Sequence, residues 1–240
     1  MTISVRQEWP TAWLSPSATT VASGNAGSAC LVGSAIGALV IWDGGAGSTA
    51  PSSVVDSASQ TYTASGAVVS DSNTGLNLGL YRFMNNASAT ALAVTATWAS
   101  AINFRGIWPF EIAGVTTAGF QLTAGQAQDS PGGGTTAITS GPTGALSAQP
   151  CLIHALFFDA TANALSIVSG GLNTGTTGLL LSGNSFASGV SGNLRLTSTA
   201  SVSATAGNST DGPGSSFLTL ASVWTELGGG TNTASIAWVS

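Results

Sequence analysis

The sequence predicts an all-β protein, an antiparallel β-sandwich of jelly-roll-like form, on three observations. Short runs rich in Val, Ile, Thr and aromatic residues alternate with clusters of Gly, Ser, Asn and Pro from end to end. No run carries a 3.6-residue apolar stripe bounded by helix caps. A hydrophobic content of 43%, with seven tryptophans and eight phenylalanines, supplies the bulk of a core and argues against disorder. Strands are expected at 29–42, 60–69, 76–85, 90–98, 104–113, 119–124, 151–159, 163–168, 193–205, 215–226 and 233–239. The 240 residues read as an N-terminal arm, 1–25, followed by a single sandwich domain, 26–240.

The opening MTISVRQEWPTAWLSPS has no cationic segment followed by an apolar one, so it does not read as a secretory signal. Trp9-Pro10 and Trp13 mark the arm as a segment that docks on a partner. In GSACLVGSAIGALVIW, Gly33 and Gly37 have the GxxxG spacing of a membrane helix. The strongly apolar part, 29–42, falls short of the roughly 20 residues that a spanning helix needs, and suits a buried strand. Asp56, in VVDSASQTYT, reads as an acid that bonds its own backbone and shapes a turn. In TALAVTATWA, Leu92, Val94, Ala96 and Trp98 share one face of a half-buried strand. CLIHALFFDA is apolar on both faces, as a central strand covered on both sides should be.

INFRGIWPFEIAGV holds one of four arginines, Arg105, and one of nine carboxylates, Glu111. Six residues apart, they share one face of an unbroken strand. Pro109 removes a ladder donor, so this strand is expected at a sheet edge, bent at Trp108-Pro109, with Arg105 held by a carboxylate or by carbonyls. Trp9, Trp13, Trp108, Arg105 and Glu111 are the candidate assembly contacts.

Composition excludes whole classes of chemistry. Charged residues make up 5%, against roughly 25% in ordinary soluble domains, and there is no lysine. A Walker-type phosphate loop and Schiff-base catalysis both need that lysine. A net charge of −5 with four scattered arginines gives no face for nucleic acid and no polybasic membrane anchor. No catalytic, cofactor-binding or metal site is expected. His154, the only histidine, shares its face with Leu152, Leu156 and Phe158 and reads as a core or interface residue. The acids show no close pair of the kind glycoside hydrolysis uses. DSPGGG and TDGPG lack the ligand density of a calcium loop, and two cysteines with one histidine are too few for zinc. Cys30 and Cys151 read as buried thiols, although their spacing does not settle pairing. The sequons at Asn86 and Asn208 read as chance in a chain rich in Ser and Thr.

Unblunted sheet edges recruit other strands, and lysine is the usual gatekeeper. Without it, the chain is expected to work inside an assembly. From about 29 to 170 it also resembles a diffuse class of jelly-roll-like β-sandwich domains found in phage virion structural proteins and bacterial surface proteins. The order of features carries the resemblance: an apolar strand ending in Trp42-Asp43, PSSVVDSASQTYT, GLYRFMNN, ALAVTATWASAINFRGIWPFEIAGV and CLIHALFFDA. Trp108-Pro109-Phe110 departs from it, standing where small aliphatic residues are usual. The resemblance implies a structural or adhesive role with no shared catalytic residues. The functional expectation is a non-enzymatic virion structural protein of a tailed bacteriophage, a capsid decoration or other head or tail subunit. Its partners would be copies of itself and other virion proteins. The alternatives are a surface adhesin or carbohydrate-binding module that stacks sugars on exposed tryptophans, located outside the cell or on its surface, and a hydrolase built on His154 or a carboxylate pair.

Overall fold

The computed structural model describes residues 2–9, 17–44, 49–129, 134–146, 150–159, 165–169, 173–177, 188–196, 201, 203–211 and 216–227. Trp13 and the expected strand at 233–239 lie outside them. Among the described residues there is no helix and there are sixteen strands. The first eight are β1 (Ser4–Glu8), β2 (Ala18–Ala22), β3 (Ala35–Asp43), β4 (Ser53–Asp56), β5 (Thr63–Ser70), β6 (Leu76–Phe83), β7 (Val94–Ile102) and β8 (Arg105–Ala113). The second eight are β9 (Val115–Asp129), β10 (Gly134–Thr139), β11 (Cys151–Asp159), β12 (Leu165–Ser169), β13 (Asn173–Thr177), β14 (Ser188–Leu196), β15 (Thr205–Asp211) and β16 (Ser216–Glu226).

The strands form four antiparallel sheets, and their order reveals a duplication. The first half builds a five-stranded sheet β1-β8-β3-β6-β5 and a three-stranded sheet β2-β7-β4. The second builds β9-β16-β11-β14-β13 and β10-β15-β12. Adding eight to each strand number of the first half reproduces the second. Pairing first with last, second with seventh and third with sixth is the signature of a long hairpin rolled into a jelly roll. The same three pairings recur as β9–β16, β10–β15 and β11–β14. The protein is therefore two eight-stranded sandwiches in tandem, where the sequence suggested one. Residues 4–8 and 18–22, read from sequence as part of an arm, are strands of the first sandwich.

A small local motif repeats with the strand order. After β2, Ser23 N donates to Val94 O at 2.8 Å, Val94 N returns a bond to Ser23 Oγ at 2.9 Å, and Ser23 Oγ donates to Gly24 O at 2.8 Å. After β10, Ser140 makes the same three bonds with Ala204 and Gly141, at 2.9, 3.1 and 2.8 Å. Each hydroxyl is the acceptor of a backbone N–H at a buried position. Ser23→Ala and Ser140→Ala should therefore each cost about 1–3 kcal/mol in urea unfolding. A loss at one serine with none at the other would break their equivalence.

Three cores separate the four layers. The five-stranded sheets pack face to face over Leu39, Ile41, Trp108, Phe110, Leu156, Phe158 and Trp224. The opposite face of the first five-stranded sheet packs on β2-β7-β4 through Ile36, Val40, Trp42, Val94 and Trp98. The second sandwich closes over Ile138, Ile153, Phe157, Phe217 and Val223. This arrangement explains why β3, β8 and β11 are buried on both faces: each lies in a sheet covered on both sides. Cys30 and Cys151 are buried free thiols in different cores. Burial, with Glu111 nearby, pushes the Cys30 thiol up to about 11.

The expectation of an edge strand at 104–113 is corrected. β8 lies between β1 and β3. The Pro109 carbonyl accepts Trp9 N at 3.1 Å, on the side of β1. Because N and C=O of one residue point to the same side of a strand, the missing donor also faces that side. There β1 has already ended at Glu8, and no bond to β3 is forfeited. Proline is tolerated at an interior position because only a short neighbour passes its donorless side.

Candidate functional site

The chain's one histidine is the natural place to look for chemistry. β11 presents Leu152, Leu156 and Phe158 to the first sandwich, and His154 lies on the same face. Opposite it stands Glu8, the last residue of β1. His154 Nε2 meets Glu8 Oε1 at 3.0 Å, while Ser191 Oγ and Trp108 Nε1 donate to Glu8 Oε2 at 2.6 and 3.1 Å. Burial raises the Glu8 carboxyl pKa, but His154, Ser191 and Trp108 together outweigh it and hold the group down at about 2. The Phe110 ring stacks on the imidazole, centroids 4.1 Å apart. Below it, Ser222 Oγ donates to the His154 carbonyl at 3.1 Å and accepts Trp224 Nε1 at 2.9 Å.

This constellation has the residue types of an acyl-transfer site, arranged around the carboxylate. Ser191 donates to Glu8 Oε2, and the imidazole meets Oε1 of the same carboxylate. His154 and Ser191 are fully buried, and the Glu8 side chain is 3% exposed. What the group does is join Glu8 and Trp108 of the first sandwich to His154 and Ser191 of the second.

Glu111 organises the second polar cluster, on the other face of the same sheet. Arg6 Nη1 and Gln7 Nε2 reach its Oε2 at 2.6 and 2.7 Å, and Leu31 N donates to its Oε1 at 2.6 Å. A bulge between Val5 and Gln7 brings two successive side chains of β1 to one carboxylate. Gln7 also holds Ser28 through both ends of its amide. The first strand, β8 and the 28–31 loop are thereby clamped together.

A third cluster surrounds Asp56, which does shape its turn. Asp56 Oδ1 accepts Ala58 N and Gln60 N, and its Oδ2 accepts Gln60 Nε2 at 2.7 Å and Tyr62 OH at 3.2 Å. Gln60 passes the network to Asn86, whose Nδ2 serves Leu31 O and Ser88 O. Asn86 is fully buried, which leaves this sequon no room for a glycan.

Four of the five candidate assembly contacts fall inside the chain. Arg105 donates to Thr20 O at 2.6 Å and Ile102 O at 3.2 Å, so carbonyls hold it, and Glu111 is the partner of Arg6. Trp9, Trp108, Arg105 and Glu111 are 6%, 0%, 5% and 0% exposed, so their contacts are made within the molecule. Trp13 is not among the described residues. The five described tryptophans, Trp9, Trp42, Trp98, Trp108 and Trp224, are all buried, and none offers a ring to a sugar. Among the described residues no group of three or more His, Cys, Asp or Glu is placed to hold a metal ion. Sequence reasoning missed Arg6, Gln7 and Glu8. Their one visible signal is a polar run with two charges, Arg6 and Glu8, in a chain that almost lacks charge.

Fold and contacts define a class: a tandem jelly-roll protein whose buried acids and imidazole tie its own segments together. No known protein family, curated protein or solved structure matches the chain.

Proposed function

We propose that the protein is a non-enzymatic structural subunit of a virion, a capsid decoration or other head or tail component of a tailed bacteriophage. One observation carries the reading: the buried polar groups with catalytic potential, Glu8, Glu111, Asp56 and His154, are spent on contacts that hold strands and sandwiches together. Two apolar sandwiches in series make a stiff body with little charge to repel its neighbours. The absence of lysine, the usual edge gatekeeper, favours strand-to-strand contacts between subunits. The buried anchors shift the expected contacts from aromatic side chains to exposed backbone. The partners are other copies of the chain and other virion proteins, and the working location is the particle.

Mass spectrometry of purified particles, with antibody labelling in the microscope, tests the reading. The expected result is a stoichiometric particle component at a repeated position. Absence from intact particles while the protein accumulates in the producing cells would sink it.

A further inference from the structure

The internal duplication shows where the second sandwich departs from the first. β9 takes the place of β1 at the end of its five-stranded sheet, yet it has 15 residues against five. β1 is blunted by a bulge and carries Arg6 and Glu8; β9 shifts register against β16 between Val115 and Leu122 and is regularly paired from Leu122 to Asp129. β9 has no charged residue from Val115 to Gln128, and no described strand pairs with its outer side. A long edge without gatekeepers is a template for another strand.

The surroundings of that edge are shaped for a strand. A groove of about 580 Å³ runs beside Thr123–Ala127, with Ala67–Ser70 of β5 on one flank and Ser140–Pro142 on the other. At Gly125 the two five-stranded sheets approach closely beside the groove; a Cβ there would stand 2.5 Å from Val69 Cγ2 and 2.6 Å from Thr219 O. Val68, 40% exposed, projects from the β5 flank.

We propose that β9 is the strand through which two copies of this chain associate, pairing antiparallel about a two-fold axis to make one continuous sheet. Antiparallel pairing of a strand with itself is isologous and closes at two. It brings uncharged residues onto uncharged residues and sets the two Asp129 positions at opposite ends of the pair. The regular stretch, Leu122–Asp129, is about 27 Å long and about 10 Å thick and covers on the order of 270 Å² per copy. The total, about 500 Å², is that of a weak contact, so the dimer is reversible. This inference deepens the proposed assembly role and rests on it only for its biological setting.

Light scattering after size exclusion tests it on the whole purified chain. The apparent mass should climb from 23.5 kDa toward twice that as concentration rises. Thr117→Lys with Gln126→Lys places charge along the exposed edge. That variant should stay monomeric at every concentration, with unchanged circular dichroism and unfolding midpoint. Single cysteines at Ala118, Gln121 and Ala124 provide a readout that does not depend on that variant folding. The expected oxidative cross-link forms at one position near the middle of β9, since Cys30 and Cys151 are buried. A wild-type chain that is monomeric throughout, a dimer untouched by the two lysines, or no cross-link along β9 would each overturn the proposal. Each outcome is separable from the particle test: a chain found in particles but monomeric in solution keeps the assembly role and loses this edge. A dimer absent from particles does the reverse.

Discussion

Glu8→Ala should cost about 3–5 kcal/mol of stability, because it strands three buried groups at once. His154 Nε2, Ser191 Oγ and Trp108 Nε1 all use this carboxylate, and His154 and Ser191 belong to the other sandwich. Glu8→Gln keeps the volume but sets an amide NH₂ against one of the donors, at a cost of about 1–3 kcal/mol. The same carboxylate dictates an acid response. Its pKa is depressed from 4.5 to about 2 on folding, so its contribution is fully present above 4.5 and is lost as pH falls toward 2. That difference is worth on the order of 3 kcal/mol. Urea titrations from pH 5 to pH 2 should show wild type losing this increment and Glu8→Gln lacking it. Parallel curves for the two proteins would mean that Glu8 is not a linked carboxylate.

The second large effect is expected at Phe110. Its ring stacks on His154 and meets Trp224 edge-on at 6.0 Å. It lies over the backbone of Gly37 on the neighbouring strand, where a Cβ would overlap Phe110 Cζ. Glycine is required there because the ring cannot retreat: the imidazole of the opposite sheet is already against it. Phe110→Ala should cost about 3–5 kcal/mol by leaving a cavity. Gly37→Ala alone should cost about 1–3 kcal/mol through overpacking. Together they should cost clearly less than the sum, since the added methyl enters the space that the ring vacates. Additivity within about 0.5 kcal/mol would show that the ring and the glycine do not compete for space.

The legible parts of the fold were those written in local pattern. Cys151–Asp159 was found to the residue because both its faces are apolar, while the strand expected at 90–98 overlaps β7 (Val94–Ile102) only over 94–98, where its faces differ. The duplication was hidden because jelly-roll pairing fixes which strands meet and leaves the side chains free: Ser23 and Ser140 keep one motif, in SGNAG and SGPTG, too short to mark a repeat by itself. The first strand, SVRQE, fell within the arm marked by Trp9-Pro10 and Trp13, and its polar residues gave no local sign of a strand. Those residues are polar because they close clamps to partners about a hundred or more positions away, a separation that no local window contains. Arg105 and Glu111 share a strand and a face, as their spacing predicts. Long-range partners then separated them, Arg6 for the glutamate and carbonyls for the arginine. Pro109 misled for a different reason: the rule against interior proline concerns the side on which the donor is missing, and sequence alone does not reveal that side.

Gly114 is the single residue between the two sandwiches, at φ +73°, with Thr2 O so close that a Cβ would stand 2.8 Å from it. Leu227 N bonds the Gly114 carbonyl at 2.6 Å. The beginning, the midpoint and the end of the described chain therefore converge on one spot. A pull on Thr2 against Leu227 would therefore meet the Leu227–Gly114 hydrogen bond, the β1–β8 ladder and the two ladders of β16 before it reached any core.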